Sequence, residues 1–175
     1  MQWTSAQHIS NDKIKLYMRI SFDLDDTLIC RQILAKYEKK RDPFFLKVIF
    51  NEPLRLGTRF LIRELQQRGH EVWIYTSSYR QPFFVKLWLR FYGIRVSKVI
   101  NKKIYDQCVC LKDTQNQPSK NPKLFEIDLH IDDSLGVQME GDIYGFRVLI
   151  INPSDEAWVD KVIQSVKEIE TWHYQ

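Results

Sequence analysis

Asp23, Asp25 and Asp26 crowd three carboxylates into four positions of the stretch S-F-D-L-D-D-T-L-I-C, Ser21 to Cys30. Like charges this close raise one another's pKa unless a cation lies between them, so the cluster reads as a site that expects a divalent metal. A second acidic pair, Asp132-Asp133, follows the apolar run Leu129 to Ile131 far along the chain. A carboxylate can accept a phosphoryl group and later yield it to water, which splits one hard displacement into two. Asp23, delivered at the end of an apolar segment, is placed for that part. The oxygens of a transferring phosphoryl group need neutralising, so Mg2+ on carboxylates, a hydroxyl and a lysine ammonium are the expected company. Asp132 and Asp133 can hold the metal, Thr76 can give the hydroxyl, and the polar loop before Asp132 can give the lysine. Asp25 can hand a proton to the leaving oxygen and take one from the attacking water.

The elements that must position these residues show in the hydrophobic pattern. Strand-formers among Leu16 to Phe22 lead into Asp23, V-W-I-Y (Val72 to Tyr75) leads into Thr76, and Leu129 to Ile131 leads into Asp132. Val96 to Ile100 and Arg147 to Ile151 are two more short strands. Between them lie segments of helical spacing. Leu54 to Arg68 carries Leu54, Leu56, Phe60, Leu61 and Leu65 and stops at Gly69; Pro82 to Phe91 is closed by Gly93; the stretch after Ser134 is broken by Gly145. The last helix is expected over Asp155 to Trp172, capped by Ser154, with Trp158, Val162 and Val166 on its apolar face. The aromatics from Phe83 to Tyr92 fall at helical spacing and read as core, while Asn101 to Pro122, polar and proline-bearing, reads as loop. Ser77 and Ser78 read as turn and helix-cap residues, with Ser77 offering a backbone amide to a phosphate. Arg80 and Tyr79 border the same strand end, which makes Arg80 a candidate substrate contact. His130, inside the fourth strand, reads as a buried residue with a partner.

Strands alternating with helices over short loops predict an α/β fold, a three-layer Rossmann-like sandwich around a central parallel sheet. Ligands of such sheets sit at the carboxyl ends of the strands, where strand order reverses. Asp23, Thr76 and Asp132 all end strands, which predicts a single site.

At 175 residues the chain reads as one domain, with 1–15 an N-terminal tail and 31–52 a small insertion or flap near the site. The 44% apolar and 27% charged content is ordinary for a soluble globular protein. With no membrane segment and no secretory signal in Met1 to Lys15, a cytoplasmic location is expected. Cys108 and Cys110 lack a second pair or histidine for zinc, so these and Cys30 read as reduced thiols. The net charge of +4 is mild, but Arg31 to Arg41 holds five basic residues against one acidic. Such a run is a solvated face or a basic rim for a phosphorylated substrate.

In order, D-L-D-D-T at Asp23 to Thr27, a strand closing on Thr76, a loop lysine and the pair Asp132-Asp133 resemble the four motifs of the haloacid dehalogenase (HAD) superfamily. The likeness runs from about Tyr17 to the C-terminal helix and points to its minimally capped, phosphatase-like branch. It implies Asp23 as nucleophile, Asp25 as acid and base that also lends a backbone carbonyl to Mg2+, and Thr76 as phosphoryl ligand. It implies too that Asp132, with Asp133 beside it, completes a metal shell shared with Asp23. The dehalogenase branch lacks the second aspartate, so phosphate ester hydrolysis is favoured over carbon–halogen cleavage. For the lysine, Lys120 in K-N-P is preferred over Lys123, with Lys112 also in the loop.

The resemblance implies a phosphorylated substrate, small or macromolecular, since a nearly capless site is open. The opening F-D-L-D-D-T-L with I-D-D-S near the end is similar to phosphatases acting on the RNA polymerase tail. A nucleic-acid end is compatible with the basic run, but nothing in the sequence selects it, and oligomeric state stays open. A phosphoaccepting signalling module is a second class. Receiver domains, however, carry the acidic pair first and the acceptor aspartate later, the reverse of the order here, and have no use for Asp25.

Overall fold

The structure, a computed structural model, describes residues 17–30, 36–39, 52–110 and 117–172. Five strands form one sheet: β1 (Arg19–Phe22), β2 (Glu71–Tyr75), β3 (Lys98–Ile100), β4 (Leu129–Asp132) and β5 (Val148–Ile150). Their order is β3-β2-β1-β4-β5 and every pairing is parallel. Ile20 is in register with Val72 on one side and Leu129 on the other, so β1 is the centre of the sheet. The helices are α1 (Thr58–Gln67), α2 (Pro82–Phe91), α3 (Lys102–Cys110), α4 (Leu135–Tyr144) and α5 (Trp158–Trp172).

The period of two along each strand decides what each face holds. Ile20, Phe22, Val72, Ile74, Leu129 and Ile131 point to one face and make the larger core with Leu61, Ile62 and Leu65 of α1, Val85 and Trp88 of α2, and Trp158 and Val162 of α5. The intervening positions Trp73 and Tyr75 point the other way and pack with Tyr105 of α3 and with Ile127. Ser21, Asp23, His130 and Asp132 occupy the alternate positions of β1 and β4, so four polar residues share this second face. The chain runs outward through β2 and β3 with α1 and α2 on the first face, then returns to the far side of β1 as β4. A right-handed crossover can make that return only by changing face, which puts α3 and α4 opposite. The crevice where the order reverses therefore lies between the ends of β1 and β4.

Several boundaries differ from the pattern-based expectation. Leu54 and Leu56 precede α1, because Arg55 forms an isolated bridge to Tyr37 and Gly57 turns the chain with φ 91°. A Cβ on Gly57 would also stand 2.6 Å from Val159 Cγ2, so α5 packs on bare backbone there. Phe60 is exposed rather than on the buried face of α1. Asn101 to Pro122 is not all loop: Asn101 accepts the Ile104 N–H on Oδ1 at 3.0 Å, a helix-capping bond, and α3 follows. α5 begins at Trp158, and Ser154 does not cap it but donates to Asn152 Oδ1 at 2.7 Å. Nor do Ser77 and Ser78 cap α2, whose N-cap is Gln81. Phe83 and Phe84 are exposed, so only Trp88 and Tyr92 of that aromatic run are buried core.

The tail 1–15 and nearly all of the insertion 31–52 lie outside the described residues. Among the described residues no helix is long and apolar enough to cross a membrane. Cys30, Cys108 and Cys110 are free thiols.

Candidate active site at the switch point

Asp23 extends β1 by one residue, its N–H donating to Ile131 O of β4 at 2.9 Å. Asp132 ends β4, and its carbonyl accepts the Ile151 N–H at 2.8 Å. Both carboxylates are thus fixed by sheet bonds at the crevice. Lys120 reaches between them, 2.7 Å from Asp23 Oδ1 and 2.5 Å from Asp132 Oδ2. Its segment is clamped from below: Tyr75 Oη accepts the Asn121 N–H at 2.8 Å, Tyr105 Oη donates to Pro118 O at 2.5 Å, and Glu140 accepts the Ser119 N–H at 2.8 Å. Lys123, the other candidate, is exposed.

Beneath this pair runs a buried relay. Burial pushes the His130 pKa down, so the ring is neutral. With Nε2–H donating to Asp132 Oδ2 at 2.9 Å, Nδ1 is left to accept from Ser21 Oγ at 2.8 Å. Asp132 Oδ1 takes the Ser134 N–H at 2.9 Å. Burial raises the Asp132 pKa, but the His130 hydrogen bond and the Lys120 ammonium more than offset it and hold the carboxyl well below the usual range. Lys120 is itself pushed down by burial and held above its ordinary value by Asp23 and Asp132, so it stays charged.

Asp23 has the opposite fate. It is 6% exposed, and burial raises its pKa to about 6 in spite of Lys120. Its Oδ1 makes no hydrogen bond: the Lys120 ammonium lies close but not aligned for one. Asp133 stands at the rim, raised by burial and by Asp132, with Oδ1 accepting from Thr27 Oγ1 at 3.3 Å.

Asp23, Asp132 and Asp133 each offer an oxygen within 4.8 Å of the others. Three carboxylates face one ammonium, leaving two negative charges for a divalent cation to balance. The donors are all hard oxygens, which fits Mg2+ better than a soft metal.

Thr76 ends β2, anchored by its N–H to Ile100 O at 2.9 Å, and its hydroxyl donates to Ser78 Oγ and accepts the Ser78 N–H, both at 3.1 Å. Ser77 is exposed in the same turn. Asp25 is not part of the carboxylate cluster. Arg80 grips it with both terminal nitrogens, Nη1 to Oδ2 at 2.6 Å and Nη2 to Oδ1 at 2.8 Å, and holds Glu52 Oε1 at 2.8 Å. Asp26 is exposed in the left-handed region, φ 55°, at the turn that folds Ile29 back onto Leu24.

Sequence reasoning did not assign the Ser21–His130 relay, the Thr27–Asp133 bond or the Asp25–Arg80–Glu52 clamp. The first carried a signal: polar residues two positions before Asp23 and Asp132, in otherwise apolar strands, face the same way as those acids. The other two join residues from separate elements with no shared periodicity.

No protein-family model matches the chain, and no curated protein matches it by sequence. Among solved structures it is similar to a chain of the Pnkp1/Rnl/Hen1 complex, at 17% identity and a TM-score of 0.51, over 89% of this chain and 52% of that one. It is also similar to a predicted HAD-like family hydrolase from Porphyromonas gingivalis, at 12% identity and a TM-score of 0.47, over 86% and 98% respectively. The chain spans about half the length of the first of these. At 17% identity the likeness to the first of these is one of fold alone. The class defined so far is a doubly wound α/β protein with a carboxylate–lysine site at its switch point.

Proposed function

We propose that the chain is a Mg2+-dependent phosphatase that hydrolyses a phosphate monoester through a phosphoaspartate on Asp23. The observation that carries this reading is the buried, under-satisfied Asp23 carboxylate beside Lys120 and within metal-sharing distance of Asp132 and Asp133. A charge kept at such cost at a switch point marks chemistry rather than packing.

Asp23 attacks phosphorus, forming the acyl phosphate as the ester P–O bond breaks. Asp25 gives its proton to the leaving oxygen, then takes one from the water that hydrolyses the acyl phosphate and frees Asp23. Lys120 and Thr76 hold the phosphoryl oxygens, with the Ser77 amide as a further donor. Asp23, Asp132 and Asp133, with the Asp25 carbonyl, would hold a Mg2+ whose role is to neutralise charge on the transferring group. Arg80 must yield part of its grip for Asp25 to act, and a substrate anion is a competing ligand for the guanidinium.

The test is a broad panel of phosphomonoesters with and without Mg2+. Metal-dependent phosphate release is expected from at least one member, with Asp23→Asn slower by at least about a thousandfold. Full turnover by Asp23→Asn, or no release from any ester, would overturn the reading. Phosphorylated protein that never releases phosphate would instead favour the signalling module.

A further inference from the structure

A cavity of about 370 Å³ opens beside the Asp25 loop, with Leu24, Ile29, Val85 and Trp88 on its apolar side and Glu52, Arg80 and Gln81 on its polar side. Resting on the phosphatase reading, its position has a chemical meaning. The group that protonates the leaving oxygen must lie within hydrogen-bond reach of it. Asp25 is that group, and its partner Arg80 is a wall of the cavity. The alcohol half of the ester, extending away from Asp25, has this cavity as its neighbour.

The lining selects among alcohols. Leu24, Ile29 and Val85 are aliphatic and buried. The Trp88 indole N–H already donates to Glu52 O at 3.1 Å, so the ring brings the cavity carbon surface rather than a free donor. Phe84 forms the lip, half exposed and edge-on to Phe83 at 5.7 Å between ring centroids. Glu52, Arg80 and Gln81 can pair hydroxyls on one side only, and those of a sugar or glycerol alcohol turned to the apolar side would go unpaired, at a cost in binding. A flat apolar ring meets no such cost, and the planar Arg80 guanidinium, which Glu52 still holds at 2.8 Å when the grip on Asp25 loosens, offers a surface for stacking. The volume lies at the low end of ligand pockets, roughly 300 to 1,000 Å³, which suits one or two rings.

We infer that this cavity receives the leaving group and that the substrates are phosphate esters of an aromatic alcohol. The phosphoryl end lies at Asp23 and Lys120; the ring lies against Phe84, Val85 and Trp88.

Aryl esters react faster than alkyl esters for reasons of leaving-group chemistry, so the test measures binding. Benzylphosphonate and propylphosphonate, in which carbon replaces the ester oxygen, are titrated calorimetrically into the full-length protein with Mg2+. The benzyl compound is expected to bind about tenfold tighter. Val85→Phe, which fills the apolar side, should bring the two affinities together. Phe84→Ala, at the half-exposed lip where folding is least at risk, should narrow the difference. Equal affinities in the wild type, or an unchanged preference in a folded Val85→Phe, would overturn the inference. Ester turnover alongside equal phosphonate affinities overturns the cavity assignment alone; no turnover and no phosphonate binding overturn the phosphatase reading with it.

Discussion

The two ends of the sheet hold the same kinds of side chain under opposite conditions. At the amino end Arg19 pairs with Glu71 at 3.1 Å and Glu126 at 3.2 Å, donates to Phe125 O at 2.7 Å and lies over Trp73, 4.5 Å from the ring centroid. Every one of those charges keeps some contact with water. Pairs of this kind contribute little each, about 0–1 kcal/mol, and are built to be satisfied. At the carboxyl end Asp23, Asp132 and Lys120 are buried, and one carboxylate oxygen has no hydrogen bond. For Asp23 burial costs more than the attraction returns, whereas for Asp132 and Lys120 the partners outweigh it. A charge cluster therefore marks a site not by its density but by what solvation it has given up.

The largest break in this contrast is Lys120→Met. It leaves two buried carboxylates with no ammonium between them, so metal-free stability should fall by about 3–5 kcal/mol in urea unfolding. The proposed phosphatase activity should be lost with it. A change within 1 kcal/mol, the outcome expected of an amino-end pair, would remove the distinction between the two ends.

Asp23→Asn should act in the opposite direction on stability. The fold raises the Asp23 pKa to about 6 from an ordinary 3.8, so it is the charged form that burial disfavours. The cost is absent below pH 3.8, where folded and unfolded chains are both protonated, and complete above about pH 6. The metal-free variant should therefore gain on the order of 2 kcal/mol at pH 7 and almost nothing near pH 4. Thermal melts of both proteins across that range check the sign. A variant more stable than its parent and devoid of turnover is the signature of a site that trades stability for chemistry.

The sheet and the three strand-end residues were legible because each depends on local pattern: short apolar runs with a polar residue at the end. Lys120 was legible through its K-N-P context, although what positions it, Tyr75 and Tyr105, comes from other elements. α3 was missed because of its nine residues only Tyr105 is buried, so it has no apolar stripe to read. Its capping residue Asn101 was the one local clue. The Asp25–Arg80 clamp joins residues 55 positions apart across the ends of β1 and β2, and nothing in either segment foretells it.

The two buried histidines give the finest comparison. His130 and His70 both have a pKa lowered by burial, and both face a carboxylate. His70, at the amino end, accepts the Met18 N–H on Nδ1 at 3.4 Å and lies 3.0 Å from Glu170 Oε1, with Arg68 and Asp128 the other charges acting on it. Because the fold favours neutral His70, its contribution is whole above the ordinary value of 6.5 and is lost as pH falls below it. His70→Asn keeps an acceptor for Met18 and has no proton to gain, so stability between pH 7 and pH 5 should flatten. The change at pH 8 should stay within about 1 kcal/mol, and turnover should be unaltered. His130→Leu, by contrast, removes a donor from Asp132 in the carboxyl-end cluster and should lower turnover. If both histidine variants left turnover intact, the relay under Asp132 would be packing of the same kind as at the amino end, and the site would be confined to its acids and Lys120.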